Sequence, residues 1–162
     1  MSEKEYNEMV NQYADNVYRF VVKNIRNSED ARDIVQTSFE KLWKHRDTIE
    51  LPQAKSWLFT VAYHQLIDWV RKKNRSTHSE DVPEAATASL FEKKALQEKL
   101  QDALQQLNEV QRSLVLLKDY EGYSYEEIGV ITGLNASQVK VYLHRARHTL
   151  RSILISVEEV MN

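Results

Sequence analysis

Hydrophobic residues recur at spacings of three and four along most of this chain, as expected for amphipathic helices with one buried face. The first stripe consists of Tyr6, Met9, Val10, Tyr13, Val17, Phe20 and Val21. The second consists of Ala31, Ile34, Val35, Phe39, Leu42 and Trp43. Ser28 stands just before the second stripe, where a serine can cap a helix. The pattern therefore predicts two helices at the start of the chain, the second of them capped by Ser28.

A third predicted helix, over residues 56–75, has two hydrophobic stripes instead of one. They comprise Leu58, Val61, Ala62, Leu66 and Trp69 on one face and Phe59, Tyr63, Ile67 and Val70 on another. A three-helix module has no partner for both faces, so we expect some rings to remain accessible beside the basic helix end and to stack unpaired bases. Alternatively, every ring belongs to the core and the basic run only stabilises the helix C-terminus. The sequence leaves both interpretations open.

Two polar stretches interrupt the helical pattern. Pro52 marks a predicted loop over residues 45–55. Residues 76–89 are polar, small and acidic and contain Pro83, a composition typical of a flexible linker. Helices are predicted on the far side of that linker over residues 90–107 and 108–120.

The predicted fold class is therefore all-α, with two small helical bundles joined by a flexible linker. Residues 1–75 form the N-terminal domain, residues 76–89 the linker and residues 90–162 the C-terminal domain. Few turns are needed in such a fold, and the 162 residues include only three Gly and two Pro.

Residues 124–151 have the signature of a helix-turn-helix. Ser124 and Glu127 can form a capping box, Gly133 can supply the positive φ that ends a helix, and Asn135 can cap the next one. Gly129 is expected to leave room for a second helix to pass closely. The second helix of such a motif enters the DNA major groove. A plain helical hairpin with a solvated basic face is the alternative.

Charge is unevenly distributed although the net charge is only −2. Residues 51–79 carry five Lys or Arg against the single acid Asp68, and residues 128–157 carry four Lys or Arg and no acid. Between these two basic stretches, residues 76–127 carry eleven acids against five bases. Two basic surfaces separated by an acidic middle favour a nucleic-acid partner.

Other classes of protein are disfavoured. No Cys is present, which excludes disulfides and thiolate metal sites. No apolar run is long enough for a membrane helix and the start of the chain lacks a signal-peptide pattern, so we expect a cytoplasmic protein without membrane insertion. His144 and His148 have a metal-ligand spacing, but Arg145 stands where a zinc protease needs Glu. We therefore expect no enzyme, no metal and no cofactor.

Three segments, in this order, resemble the extracytoplasmic-function (ECF) group of bacterial RNA polymerase sigma factors. They are SEDARDIVQTSFEKLW (28–43), KSWLFTVAYHQLIDWVRKKNR (55–75) and YSYEEIGVITGL followed by QVKVYLHRARHTLR (123–151). The resemblance implies a sigma factor that binds RNA polymerase core and recognises the −35 and −10 elements of promoter DNA. It also implies stabilisation of melted −10 DNA, and family members commonly have an anti-sigma factor as a further partner.

The resemblance assigns roles to residues in each segment. The residues implied in core polymerase binding are Asp33, Gln36, Phe39 and Trp43, the last two as supports. The residues implied in −10 DNA binding are Lys55, Trp57, His64, Asp68, Arg71, Lys72 and Arg75. The residues implied in −35 DNA binding are Gln138, Lys140, Val141, Tyr142, Arg145 and Arg147. The loop over residues 46–55 corresponds to the family's pocket for a flipped base.

Some positions depart from the family pattern. Thr37 replaces a common acidic residue, Ser137 and Gln138 replace a frequent Gly-Thr pair, and Val141 and Tyr142 replace the usual Ser-Arg. The last change removes one phosphate-binding charge, so these departures bear on the promoter sequence and not on the fold. Two other functions remain open from the sequence alone: a helix-turn-helix regulator that binds operators as a dimer, and a sigma-like protein-binding adaptor without promoter binding.

Overall fold

The computed structural model describes residues 1–77 and 96–161, which form seven α-helices and no strand. The helices are α1 (Glu3–Ile25), α2 (Ser28–Lys44), α3 (Leu51–Thr77), α4 (Leu96–Leu104), α5 (Glu109–Val115), α6 (Tyr125–Thr132) and α7 (Ala136–Met161). A π-helical turn, Leu116–Tyr120, continues α5. The predicted all-α class is confirmed. No helix in the described ranges is both long and apolar enough to cross a membrane.

The start of α2 differs by one residue from the prediction. The cap is Asn27, whose side-chain oxygen accepts a hydrogen bond from the backbone N–H of Asp30 at 2.9 Å. Ser28 is the first helical residue. Asn is as good a cap as Ser, and the left-handed backbone of Arg26 (φ 50°) brings the chain directly from α1 to Asn27.

The loop predicted over residues 45–55 is shorter than expected because α3 begins at Leu51 and not at residue 56. Proline is well tolerated in the first turn of a helix, where its missing N–H has no intrahelical acceptor, so Pro52 opens this helix and does not prevent it. Half of the segment expected to form a base pocket is therefore helical. α3 also runs two residues past its predicted end.

The middle of the chain is only partly described. The predicted linker begins inside the last turn of α3, and its remainder lies outside the described residues. The helix expected over residues 90–107 is described only as α4, and the helix expected over residues 108–120 ends at Val115 before the π-helical turn. The domain boundaries therefore stay a prediction.

The helix-turn-helix forms as expected from its caps. Ser124 and Glu127 exchange hydrogen bonds in a capping box, and Gly133 ends α6 with φ 81°. Asn135 and Gln138 exchange a second reciprocal pair at the start of α7. The role expected of Gly129 was wrong in detail: a Cβ there would lie 2.8 Å from the backbone oxygen of Leu134, so the small residue accommodates the turn and not another helix.

The N-terminal half (residues 1–77) and the C-terminal half (residues 96–161) pack on one continuous core. The second stripe of α3 provides much of this seam, since Phe59, Tyr63 and Ile67 are buried. Phe59 lies between the rings of Phe20 and Tyr123, at centroid distances of 5.4 and 5.2 Å. The expectation that rings of α3 stay accessible was therefore wrong for this stripe, because the C-terminal half supplies the partner that three helices alone lack.

Polar contacts also cross the seam. Buried Asn24 accepts a hydrogen bond at 3.0 Å from the hydroxyl of Ser113, which is itself fully buried. The guanidinium of Arg19 donates two hydrogen bonds, each 3.0 Å, to the carboxylate of Glu121, which raises the pKa of Arg19. Two further links across the seam are those from Arg26 to Asp102 and from Gln105 to the backbone oxygen of Lys23. The seam is thus specified by shape and by polar pairing.

Candidate nucleic-acid and polymerase interfaces

The predicted polymerase-binding residues divide into an exposed and a supporting set. Asp33 and Gln36 are exposed one helical turn apart on α2. Phe39 is buried, as a supporting residue should be. Trp43, expected on the buried side of α2, is 37% exposed, whereas Leu42 beside it is fully buried.

Sequence reasoning missed two neighbours that fix the position of Trp43. The guanidinium of Arg46 stacks on the indole with its carbon 3.7 Å from the ring centroid. The ring of Tyr6 contacts Trp43 edge-on at 4.9 Å, and the Tyr6 hydroxyl donates to the backbone oxygen of Phe39 at 2.9 Å. Tyr6 was recognised only as a core position of α1, since contacts between distant segments leave no local signal. The three side chains form a packed rim, and Trp43 lies about 10 Å along α2 from Gln36 on nearly the same face.

Five of the residues predicted to bind −10 DNA lie on one face of α3. At about 100° per residue, Trp57, His64, Asp68, Arg71 and Arg75 fall within about 40° of one direction, and Lys72 lies about 60° away. All of these residues except half-buried Trp57 are exposed. We call the six residues the α3 stripe. Over about eighteen residues it runs for about 27 Å along the helix.

Lys55 does not belong to the α3 stripe. It lies about 160° around the helix from Trp57. Its ammonium group is 5.5 Å from the ring centroid of Tyr13 and 4.8 Å from that of Tyr123, in the seam between the two halves. In the packed molecule Lys55 therefore faces the rings of the seam, apart from the other residues predicted to bind −10 DNA.

The helix α3 is held against α2 by two side-chain hydrogen bonds from residues outside the α3 stripe. The indole N–H of Trp69 donates to Asp30 at 2.7 Å, and the amide of Gln65 donates to the buried hydroxyl of Ser38 at 2.8 Å. These bonds fix the rotation of α3 about its axis. α2 and the helix that carries the α3 stripe are therefore joined directly by contacts within the N-terminal half.

The outer face of α7 has two flanks. Gln138, Tyr142 and Arg145 lie within about 60° of each other on one flank, and Lys140 and Arg147 lie on the opposite flank, about 160–180° from Gln138. Val139, Leu143 and Ala146 are buried between the flanks on the inner side. Val141 is 45% exposed and points outward.

The Lys140 and Arg147 flank is engaged with the rest of the C-terminal half. Arg147 forms an ion pair with Asp119 in the π-helical turn, and this hydrogen bonding raises the pKa of Arg147. The ammonium group of Lys140 lies 5.4 Å from the ring centroid of Tyr125. In contrast, the Arg145 side chain is exposed, with no ion pair in the described part of the chain. Of Arg145 and Arg147, only Arg147 is therefore held in an ion pair in the described part of the chain.

The residues that point furthest outward are not among those predicted to bind −35 DNA. Ser137 and His144 lie near Val141 in angle, opposite the buried side of α7, and both are exposed. Their position on the helical wheel, opposite the buried residues of α7, is the sequence signal that identifies them. The amide of Gln138 has its oxygen occupied by the backbone N–H of Asn135 at 3.0 Å, so its NH₂ group is the part available to a base edge.

The capping box of α6 contributes to the electrostatics of the motif. The backbone N–H of Ser124 donates to the carboxylate of Glu127 at 3.0 Å and thereby lowers the pKa of Glu127. The carboxylate stays ionised at the N-terminal end of α6, where the helix dipole favours it. Its charge is held on the cap of α6.

Two family models match this chain. Residues 9–76 match Sigma-70 region 2, and residues 97–150 match Sigma-70, region 4. The first match contains α2 and nearly all of α3, and the second contains the helix-turn-helix. The two faces described above therefore fall in different matched regions.

Several known sigma factors are similar along most of the chain. RNA polymerase sigma-E factor of Streptomyces coelicolor is 31% identical, with 94% of this chain and 87% of that protein covered. RNA polymerase sigma factor SigV of Bacillus subtilis is 30% identical, with 83% and 81% covered. ECF RNA polymerase sigma factor SigE of Mycolicibacterium smegmatis is 31% identical over 92% of this chain, which spans only 61% of the length of that relative.

Solved structures share the arrangement of the helices. The sigma factor RpoE in complex with the anti-sigma factor NepR from Bartonella quintana has a TM-score of 0.76 at 22% identity, covering 93% of this chain and 97% of that one. CnrH in complex with the cytosolic domain of CnrY has a TM-score of 0.73 at 20% identity, covering 96% and 90%. Both likenesses extend over the N- and C-terminal halves.

Proposed function

The chain belongs to the sigma-70 family of RNA polymerase sigma factors, in its ECF group, and from that premise we propose that it brings the core enzyme to promoters with two separate elements. The family is that of transcription initiation factors, not of a known class of enzyme. The observation that carries the proposal is the presence of one basic, solvent-exposed helix face in each matched region. One face is the α3 stripe and the other is the outer face of α7.

Core polymerase is the proposed partner of α2. Asp33 and Gln36 offer an acceptor and an amide to a polar partner surface, and the rim of Tyr6, Trp43 and Arg46 adds an aromatic and cationic anchor. Aromatic and Arg side chains are the commonest strong contributors at protein interfaces. The rigid packing of the rim keeps the entropy cost of binding low.

The α3 stripe is proposed to hold −10 DNA. Arg71, Lys72 and Arg75 can neutralise phosphates, and half-buried Trp57 at the other end of the stripe can stack an unpaired base. Unstacking a base costs a few kcal/mol, which the stacked and charged contacts must recover. Melting is therefore selection of an open duplex and requires no nucleotide hydrolysis by this chain.

The outer face of α7 is proposed to read the −35 element. Ser137, Gln138 and Val141 lie at the N-terminal end of the helix, which is the end that meets base edges in helix-turn-helix proteins. Arg145 lies a further turn along and is assigned to phosphate. Val141 replaces a polar residue of the family pattern, and an apolar contact of this kind suits the methyl group of thymine.

An anti-sigma factor is a further proposed partner. One of the two similar solved structures contains the anti-sigma factor NepR, and this chain shares the arrangement of both halves with the sigma factor in it. A protein that holds the two halves in this packed arrangement would oppose their binding to separate promoter elements.

The polymerase contact is tested by replacing both Asp33 and Gln36 with Ala. Gln12 and Asp15 on α1 provide a matched control, since they are the same two residue types, both exposed and also three residues apart. Size-exclusion chromatography with purified core enzyme should show at least tenfold weaker association for the α2 pair and unchanged association for the α1 pair. Equal association of both pairs would remove α2 as the polymerase contact.

A further inference from the structure

A cavity of about 480 Å³ opens at the seam between the two halves, away from the surfaces assigned above. Its walls come from the C-terminal end of α1, from the last third of α3, and from α5 with the turn that precedes it. Its lining includes the polar side chains of Lys73, Asn74, Asn108, Glu109 and Arg112. Because both halves supply the walls, the cavity exists only while they are packed together.

Arg112 is the unusual residue of this cavity. It is only 6% exposed, and one of its terminal nitrogens donates to the backbone oxygen of Leu107 at 2.9 Å. Its Nε–H is buried without a hydrogen-bond partner among the described residues. Burial lowers the pKa of Arg112, while the nearby carboxylate of Glu109 raises it. Glu109 forms no ion pair with Arg112 within the described ranges, so the charge lacks the pairing that buried guanidinium groups ordinarily have.

The surroundings of Arg112 favour an anion with oxygen acceptors. Lys73 reaches the same cavity from α3, with its ammonium group 4.8 Å from the ring centroid of Trp69, and so places a second cation there. Asn74 and Asn108 add amide groups that can donate to oxygen. A guanidinium fork and an ammonium group together are a combination that proteins use for phosphate and carboxylate groups. The volume is in the range of small-molecule sites.

We propose that this cavity binds the phosphate or carboxylate group of a small molecule, with Arg112 and Lys73 as its cationic contacts. Glu109 limits the net charge of the site to a single positive charge, which selects against large polyanions such as DNA. The bound anion stabilises the packed arrangement of the two halves, since it binds residues of both. A small metabolite is thereby coupled to how readily the halves separate.

Isothermal titration calorimetry on the full chain tests the site with inorganic phosphate, glycerol phosphate and acetate, each against sodium chloride at equal ionic strength. Wild type should bind at least one of the three probes with a millimolar or tighter dissociation constant. Lys73→Gln should weaken that binding about five- to tenfold, since this cation is exposed and partly screened. Lys44→Gln removes an exposed charge at the end of α2, outside the cavity, and should leave binding unchanged.

Arg112→Gln should abolish binding, and circular dichroism must first show that this variant is folded; the exposed Lys73→Gln change carries the test if it is not. Tighter binding of glycerol phosphate than of phosphate identifies an organic ester as the ligand type, the reverse order identifies the free ion, and preference for acetate identifies a carboxylate. The proposal would be overturned if none of the probes bound, or if Lys73→Gln and Lys44→Gln weakened binding equally. The cavity would then hold water alone.

Discussion

At the scale of single residues, the cations on α7 and α3 differ in whether they are already engaged. Arg147 is paired with Asp119, Lys55 lies among rings of the seam, and Arg145 extends into solvent. The sequence shows only that all three are basic and near helix faces. Whether a cation is available to bind DNA depends on residues far along the chain. Arg147 is engaged by Asp119 and Lys55 by Tyr123, and no spacing rule reveals such partners.

Arg145→Ala and Arg147→Ala should therefore have different effects on DNA binding. Arg145→Ala should weaken binding uniformly across duplex sequences and lower the salt slope of log Kd by about 1, as expected when one phosphate contact is lost. Arg147→Ala should leave the slope nearly unchanged and reduce stability by at most about 1 kcal/mol, because its pair with Asp119 is solvent-exposed. Fluorescence anisotropy over a salt series measures both slopes. An effect of Arg145→Ala confined to one base pair would contradict the phosphate role.

At the scale of elements, capping residues and hydrophobic spacing were reliable guides to where helices lie. The capping box of Ser124 and the left-handed Gly133 both formed as predicted, because such signals act within one turn of chain. The start of α3 was predicted wrongly because Pro52 is compatible with both a loop and a first helical turn. The choice is decided by burial of Ala54 in the core, which is a tertiary contact.

At this scale, the α3 stripe leads to a prediction about the melting of −10 DNA. Arg71→Ala together with Arg75→Ala should reduce permanganate reactivity of −10 thymines at least fivefold in complexes with core polymerase, because two phosphate contacts on one helix face are lost. Lys55→Ala removes the same kind of charge from the same helix but from the opposite face, and should leave that reactivity nearly unchanged. If Lys55→Ala matched the double variant, assignment of the DNA face from the helical angle would be wrong.

At the scale of the whole molecule, the principal difference from expectation is that the two halves share a core. Residue spacing correctly indicated that α3 has two hydrophobic faces. It gave no indication of what covers the second face, since a covering residue such as Tyr123 lies beyond a long polar stretch of sequence. The sequence predicts loosely tethered halves, whereas their packed arrangement places Lys55 against the rings of the seam and creates the Arg112 cavity.

Variants of Tyr123 test whether the halves unfold together. Tyr123→Ala removes a ring that is 2% exposed and packs on Phe59, and should cost about 3–5 kcal/mol. Tyr123→Phe should be neutral or stabilising, because burial raises the pKa of Tyr123 and its hydroxyl has no hydrogen-bond partner in the described part of the chain. Calorimetry should show one transition that shifts as a unit. Two separate transitions, with only one moved by Tyr123→Ala, would contradict a shared core.

The most direct test of the central claim is transcription by purified core RNA polymerase on fragmented genomic DNA, with and without this protein. The account predicts a small set of new transcripts whose start sites share two spaced sequence elements, together with their loss when Asp33 and Gln36 are both replaced by Ala. The Gln12 and Asp15 control pair should retain them. Transcripts that are unchanged by the protein, or that persist in the α2 double variant, would contradict the account.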